Sequence, residues 1–581
     1  MPLAAMALLV SSELIVRQVG GTGVPGALPV LQHLTLWLGF LGAIYAAREG
    51  KLLAIASSGF FPEGRWRAAA AIFSGAVAAA VSALLARASI EMVRLDREAG
   101  GEVALGIPIW VAELVLPIAF TILALRLAWM ASPRAGGRAL AAIGLLVGIL
   151  LGQFPLWTEG APKLLGLVVL LLGAIAGAPL FVLLGGAAVW LFLTDGVPIT
   201  AVPIESYRLA VHPTLPSIPL FTLTGFLLAE SKAAIRLLAL FRAAVGWLPG
   251  GTAVVTAVLC AFFTTFTGGS GVTILALGAL LFQTLQAERY RERFSLGLLT
   301  SSGALGLLYP PALPLIFYGI VASVPIPDLF KAGVLPGTLM VLAVAAWGLR
   351  EGRRAGIAGQ PFSWPTLVRA SWDAKWEICL PILIVGLMLS GRATTVEAAG
   401  ASVLYAAVVG LAIHRDISWR RLPHVLRECV LVMGGVLLIL GVALGLTSYL
   451  VDAQIPMHLL EWAQANISSP WVFLLALNVL LLIVGCLMDI FSAIAVVVPL
   501  IVPLALAFGV DPIHLGIIFI ANLELGFLTP PVGVNLFLAS YRFERPMSEI
   551  IRAVLPFLLI LAAGVLVITY VPWLTLVFLD R

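Results

Sequence analysis

Apolar runs of about 20 residues recur along almost the whole chain, each long enough to cross about 30 Å of hydrocarbon. Inside lipid every backbone N–H and C=O must find its partner within the segment or in a closed barrel, so runs of this kind are helices rather than open sheet. Only 11% of the 581 residues are charged, against roughly 25% in a soluble domain. The fold class that follows is an all-α polytopic membrane protein, with roughly fourteen to sixteen transmembrane helices, some visibly broken.

The net charge of +5 is not a nucleic-acid signal. Arg48, Lys51, Arg65 and Arg67 share one short connection and Arg134 and Arg138 another, whereas "EMVRLDREAGGE" between them carries four acids against two bases. Spans crossing in turn, with the basic loops cytoplasmic, give that alternation and put the N-terminus inside. The opening "MPLAAMALLVSSELIVRQVGG" has no basic leader and carries Glu13 and Arg17, so it reads as a first membrane helix rather than a signal peptide. Cys260, Cys379, Cys429 and Cys486 lie in or beside apolar segments without metal spacing, and read as packing residues. The histidines, among them His212 and His514, sit near loops and read as interfacial residues. No nucleotide-binding Gly-x-x-x-x-Gly-Lys loop, His-Glu-x-x-His or Gly-x-Ser-x-Gly elbow occurs, so nothing marks an enzyme. A channel would need a long polar stripe, and no span carries one.

Three regions are visible. Residues 1–130 hold four spans. Residues 131–160 open on "ASPRAGGRAL" and hold one connecting span. Residues 161–581 form a larger unit with many Gly and Pro residues inside apolar runs. That larger unit contains a repeat. "LGLLYPPALP" (Leu305 to Pro314) and "LGFLTPPVGV" (Leu525 to Val534) place Pro-Pro pairs 220 residues apart, and at the same offset Pro336 falls on Pro556 and "TGGSG" on "LMDIF". A Pro-Pro pair ends a helix, because each ring removes an N–H and clashes with the preceding turn. Unwound backbone at membrane depth is tolerated only where it is buried in protein or lines a cavity. Corresponding broken segments in two halves point to a secondary transporter with its binding site near the midplane.

The chemistry-bearing residues lie beside these breaks. "FFTTFTGGSGVT" (Phe262 to Thr273) can reverse the chain as a re-entrant hairpin, where Thr267, Ser270 and Thr273 offer hydroxyl oxygens suited to a hard cation; the same small residues would also serve as a helix-packing face. Asp489 stands in an otherwise apolar run. An intramembrane acid is a functional hypothesis by default, as a cation or proton ligand, or else as a cap on a broken helix. Glu524 is similar, with Asn522 and Thr529 nearby. Asn535, four residues past Pro531, faces the same cavity if the helix restarts after the proline pair.

The run "IPLFTLTGFLLAESKAAIRL…GWLPGGTAVV…FTGGSGVT…GALGLLYPPALPLIFYG", with "MDIFSAIAVVVPLIVPLA" and "GVDPIHLGIIFIANLELGFLTPPVGVNLF", resembles the large membrane subunit of tripartite ATP-independent periplasmic (TRAP) transporters. Residues 1–130, through "IPIWVAELVLPIAF", are similar to the small four-helix subunit, so the chain resembles a fused form. The resemblance implies an elevator-type fold with inverted repeats and re-entrant hairpins in a bacterial or archaeal cytoplasmic (inner) membrane. It implies no cofactor, sodium as the coupling ion, and sodium-driven uptake of a small organic anion delivered by an extracytoplasmic substrate-binding protein. A symporter of related architecture that needs no binding protein is the alternative. Carried over by motif, the substrate contacts are Ser270, Thr273, Ser301, Ser302, Tyr309, Asn522 and Asn535. The ion contacts are Gly268, Gly269, Ser270, Pro310, Asp489, Ser492, Thr529, Pro530 and Gly533. The chain departs from the family pattern at Gly268–Gly271 (Gly-Gly-Ser-Gly for Gly-Ser-Ser), at Ala312 (for Ser) and at Thr394–Glu397 (Thr-Thr-Val-Glu for Thr-Pro-Thr-Glu).

Overall fold

The computed structural model describes residues 2–21, 23–54, 64–104, 106–530 and 532–579. Helices α1 (Pro2–Gly20), α2 (Ala27–Arg48) and α3 (Arg65–Ala99) lead to a two-stranded antiparallel ribbon, β1 (Glu102–Ala104) and β2 (Ile107–Pro108). Then come α4 (Ile109–Glu113), α5 (Val115–Met130), α6 (Ala135–Gln153), α7 (Lys163–Ile175), α8 (Leu180–Thr194) and α9 (Ala201–Ala210). The chain continues through α10 (Ser217–Glu230), α11 (Ala233–Val245), α12 (Gly251–Thr267), α13 (Ser270–Ala287), α14 (Glu292–Ser302), α15 (Leu313–Val321), α16 (Ile326–Arg354), α17 (Trp364–Asp373), α18 (Lys375–Leu389) and α19 (Thr395–Ala407). It ends with α20 (Leu422–Asp452), α21 (Ile455–Asn466), α22 (Pro470–Leu487), α23 (Ile490–Ala507), α24 (Pro512–Gly526), α25 (Val534–Phe543), α26 (Met547–Tyr570) and α27 (Trp573–Leu576).

Among the described residues, eleven helices are long and apolar enough to cross a membrane, and α10 with α11, bent by 75° at Ser231–Lys232, makes a twelfth. Four further apolar helices, α7, α8, α12 and α24, have only 13 to 17 residues. Counted together, these sixteen apolar segments match the upper end of the fourteen to sixteen read from the sequence. At 1.5 Å per residue a 15-residue helix rises only about 22 Å. α1, expected as a first pass, is a 19-residue helix outside that set of eleven.

One compact unit comprises Met1–Pro219, Leu426–Leu459 and Ala495–Leu500. Its boundary does not fall at residue 130 or 160: the first four expected spans cluster in one unit with α6 to α9 and most of α20. Close helix approach explains part of this. A Cβ at Gly42 of α2 would stand 2.7 Å from the Val430 carbonyl and 2.9 Å from Gly434 Cα. Small residues facing each other let backbones meet, which is how membrane helices gain contact without a hydrophobic drive between them. Lys163 closes the start of α7 onto Asp195 at 2.8 Å and onto the Tyr449 hydroxyl at 2.8 Å.

The second unit comprises Leu220–Val425, Leu460–Ile494 and Ile501–Arg581. The repeat read from the prolines is visible in its helix boundaries. Adding 220 to Ser270–Ala287 gives the bounds of α23, adding it to Glu292 gives the start of α24, and Pro336 inside α16 falls on Pro556 inside α26. Packing repeats as well: α14 lies on α26 as α24 lies on α16, α14 on α25 as α24 on α15, and α12 on α16 as α22 on α26. Such reciprocal exchange is what a two-fold relation between halves produces.

A buried ion cluster fixes the elbow between α10 and α11. Arg236 on α11 meets Glu377 of α18 at 2.6 Å and Asp416 at 2.8 Å, with side-chain exposures of 16%, 1% and 6%. Removing one partner of a buried pair leaves an uncompensated charge, at about 3–5 kcal/mol. Arg236→Met is therefore expected to lower the unfolding temperature of the purified protein markedly in a thermal melt. The double change Arg236→Met with Glu377→Leu should recover part of the loss.

Candidate functional site

The first hairpin of the second unit is α12 and α13. α12 ends because Gly268 takes a left-handed conformation (φ +65°), which its position also demands: a Cβ there would stand 2.1 Å from Leu313 Cδ1. Gly269 is extended and leads into Ser270, the first residue of α13. The turn before this break is tied to the break after α14. Thr264 Oγ1 lies 2.7 Å from both the Gly303 carbonyl, to which it donates, and Thr273 Oγ1. Thr265 Oγ1 reaches the Gly306 carbonyl at 3.1 Å, and Thr267 and Thr273 hydroxyls are 3.3 Å apart. Threonine hydroxyls thus meet the Gly303 carbonyl and join the Tyr309 N–H on the Gly306 carbonyl, supplying partners where the helix has unwound.

The second hairpin is α22 and α23, broken at Met488–Asp489. Asp489 is the N-cap of α23: its carboxylate accepts from Phe491 N at 3.0 Å, from Ser492 N at 3.1 Å and from the Ser492 hydroxyl. Of the roles open to Asp489 in the sequence, the cap is realised. A capping carboxylate also concentrates negative charge at a chain break, so the cap does not remove a cation role. The break after α24 docks on the same point. Gly533, left-handed at φ +35°, donates its N–H to the Cys486 carbonyl at 3.2 Å, and Gly526 lies against Gly485. The break joins Thr529, Pro530 and Gly533; Pro531 lies outside the described residues. The Thr529 hydroxyl turns back onto the Leu525 carbonyl at 2.9 Å, and Pro530 is exposed.

The two hairpin systems meet through Ser270 and Asn535, 265 residues apart in the chain. Ser270 Oγ donates to Asn535 Oδ1 at 2.6 Å, and Asn535, fully buried at the start of α25, keeps its Nδ2 without a partner. The other partnerless buried groups near the breaks are the hydroxyls of Ser301 and Ser302, in the last turn of α14, and both oxygens of Glu524, near the end of α24. Buried polar groups are nearly always paired in native structures. Along the chain these partnerless groups stand beside the breaks at Gly268–Gly269, after Ser302 and after Gly526.

Not every expected contact joins this cluster. Asn522 belongs to another network: its amide donates to Asn478 Oδ1 at 2.6 Å, which also accepts from Thr569 at 3.1 Å. Tyr309 donates to Thr338 Oγ1 at 3.1 Å on α16. Pro310 lines a mostly apolar cavity of about 290 Å³ with Phe330, Lys331, Val334, Val385 and Met388. Glu397 closes a capping box, its N–H on Thr394 Oγ1 at 3.3 Å and its carboxylate on Thr394 N at 2.7 Å; the motif Thr-Thr-Val-Glu starts α19. His514 is buried rather than interfacial, between the Thr569 carbonyl at 3.2 Å and the Thr575 hydroxyl at 2.8 Å. Thr264 and Thr265 were not singled out from the sequence. The available signal was a pair of hydroxyl residues one turn ahead of a Gly-Gly break.

Comparison with known proteins accords with this architecture. Residues 164–574 match the family described as tripartite ATP-independent periplasmic transporter, DctM component, and residues 6–135 match its DctQ component. The isethionate TRAP transporter permease protein DctMQ of Oleidesulfovibrio alaskensis is 31% identical over 484 residues, 82% of this chain and 76% of that protein. The C4-dicarboxylate TRAP transporter large permease protein DctM of Pseudomonas aeruginosa is 33% identical over 393 residues, 68% of this chain and 92% of its own. The sialic acid TRAP transporter large permease protein SiaM of Vibrio cholerae is 30% identical over 406 residues, 69% and 94%. A crystal structure of the YdaH transporter of Alcanivorax borkumensis shares the fold at a TM-score of 0.50, with 16% identity, covering 65% of this chain and 88% of that one. The chain is thus a multi-pass inner-membrane protein of the TRAP transporter family, a permease rather than an enzyme, in which the small and large membrane components are fused on one polypeptide.

Proposed function

We propose that this chain imports a small organic anion, driven by sodium, from an extracytoplasmic substrate-binding protein. Residues 1–130 act as the small membrane component, 131–160 as its connection and 161–581 as the transport and scaffold component. The observation that carries this reading is the set of partnerless buried donors beside two chain breaks that repeat at one offset. Asn535 Nδ2 and the Ser301 and Ser302 hydroxyls are donors suited to an anion. The Asp489 carboxylate, Ser492 and the carbonyls around Gly268–Ser270 and Thr529–Gly533 are oxygens suited to sodium. Isethionate, C4-dicarboxylates and sialic acid, for which three relatives are named, are all small organic anions. One positive charge entering across 100 mV contributes about 2.3 kcal/mol, so sodium flux can drive accumulation.

Uptake into proteoliposomes decides the matter. With the cognate binding protein outside, a pool of organic anions is offered with or without an inward sodium gradient and read by mass spectrometry. Accumulation that requires both sodium and the binding protein is the expected result. Accumulation without the binding protein would favour a simple symporter, and accumulation without sodium would overturn the coupling.

A further inference from the structure

Two carboxyl groups lie close to the breaks of the second repeat, and their surroundings are opposite. Asp489 meets three hydrogen-bond donors, two backbone N–H groups and the Ser492 hydroxyl. Glu524 meets none: it is 2% exposed and both its oxygens lack a partner. The equivalent position in the first repeat is Ala304, so the acid is a feature of one half only and not a packing requirement of the fold.

The neighbours offer no compensating charge. Of the elements packed on α24, α22 brings only Cys486 as a titratable group, and α27 brings none. α15 brings Tyr318, whose hydroxyl is committed to the Pro512 carbonyl at the other end of α24. α16 carries its ionisable groups in its end turns: Asp328 and Lys331, which face each other, and Arg350, Glu351, Arg353 and Arg354. α26 carries Glu549 and Arg552 at its start and Tyr570 at its end. On α24 itself, His514 is held by Thr569 and Thr575. At the first break, the Tyr309 hydroxyl is held by Thr338. No Lys or Arg among the described residues forms an ion pair with Glu524. A carboxylate held this way would bear a desolvation cost of several kcal/mol with nothing to offset it. The neutral acid bears far less.

We propose that Glu524 is a proton-binding site of the transport unit: it carries a proton while buried as seen here and gives it to water when the surrounding breaks open. The step is simple acid dissociation, carboxyl to carboxylate plus a hydrated proton, and needs no co-reactant. The inference deepens the transport reading above, making a proton a second cation that moves with the substrate cycle.

The test has two arms on the full-length chain in lipid vesicles. Infrared difference spectra across stepped pH should show the carbonyl stretch of a protonated buried carboxyl at neutral pH. That band should be lost in Glu524→Gln, shifted in Glu524→Asp, and kept in Asp489→Asn. In vesicles loaded with a pH dye, substrate uptake should acidify the lumen in the wild type and lose that acidification in Glu524→Gln. A band unchanged by both Glu524 variants would overturn the proposal. So would a wild-type spectrum with no such band. The infrared arm needs no substrate, so it gives its answer even if anion uptake itself is not found.

Discussion

Asp489→Asn should sharply weaken sodium-driven uptake while leaving the protein as stable as before. Asn and Asp cap helices about equally well, so the first turn of α23 keeps its cap, and only the charge is lost. Asp489→Leu should remove both, lowering stability by about 0.5–2 kcal/mol as well as stopping uptake. The comparison separates the two roles that the structure superimposes on one side chain. A charged ligand interaction is worth on the order of 1.5–3 kcal/mol. Losing it should therefore weaken sodium activation of uptake by about ten- to a hundredfold. If Asp489→Asn transported normally, and only Asp489→Leu failed through instability, Asp489 would be a cap and nothing more.

The second large effect is expected at Asn535. Its Oδ1 is occupied by Ser270 at 2.6 Å, and its Nδ2 is the free donor of the pair. Asn535→Asp keeps the shape and the Ser270 hydrogen bond but replaces that donor with negative charge. Substrate anion and new carboxylate then repel in a site sheltered from water, where charges interact more strongly than in solution. The half-saturating substrate concentration should rise more than about tenfold, which corresponds to about 1.4 kcal/mol. Sodium activation should be little changed. Ser270→Ala is the milder companion: it frees Asn535 Oδ1 and should cost about 1 kcal/mol in substrate affinity. Initial uptake rates over a range of substrate concentrations, at saturating sodium, read both effects. An unaltered substrate dependence in Asn535→Asp would remove Asn535 from the anion site.

Much of this arrangement was legible in the residues. Proline pairs stop helices wherever they occur, so Pro310 and Pro530 fixed the breaks, and their spacing gave an offset that the boundaries of α13 and α23 obey. Gly268–Gly269 and Asp489 announced the hairpin tips for equally local reasons, a left-handed turn and a helix cap. Ser270 and Asn535 were each expected as substrate contacts, but their hydrogen bond to one another is seen only in the structure. What stayed hidden depends on direction around a helix. Asn522 turns to Asn478 rather than to Asn535. Tyr309 likewise turns to Thr338. A linear pattern sets the depth of a side chain but not its azimuth, which packing of α22, α24 and α26 decides. The Arg236–Glu377–Asp416 cluster was invisible because its members are up to 180 residues apart, with no periodic pattern linking them.

The central claim is that the paired breaks form a sodium site that includes Asp489. Equilibrium binding of radioactive sodium to the purified full-length protein, in sodium-free buffer titrated upward, tests it without needing the substrate or the binding protein. Saturable binding in the wild type, weakened at least about tenfold in Asp489→Asn with the unfolding temperature unchanged, is the predicted result. Binding of equal strength in the two proteins, or no saturable binding in the wild type, would contradict it.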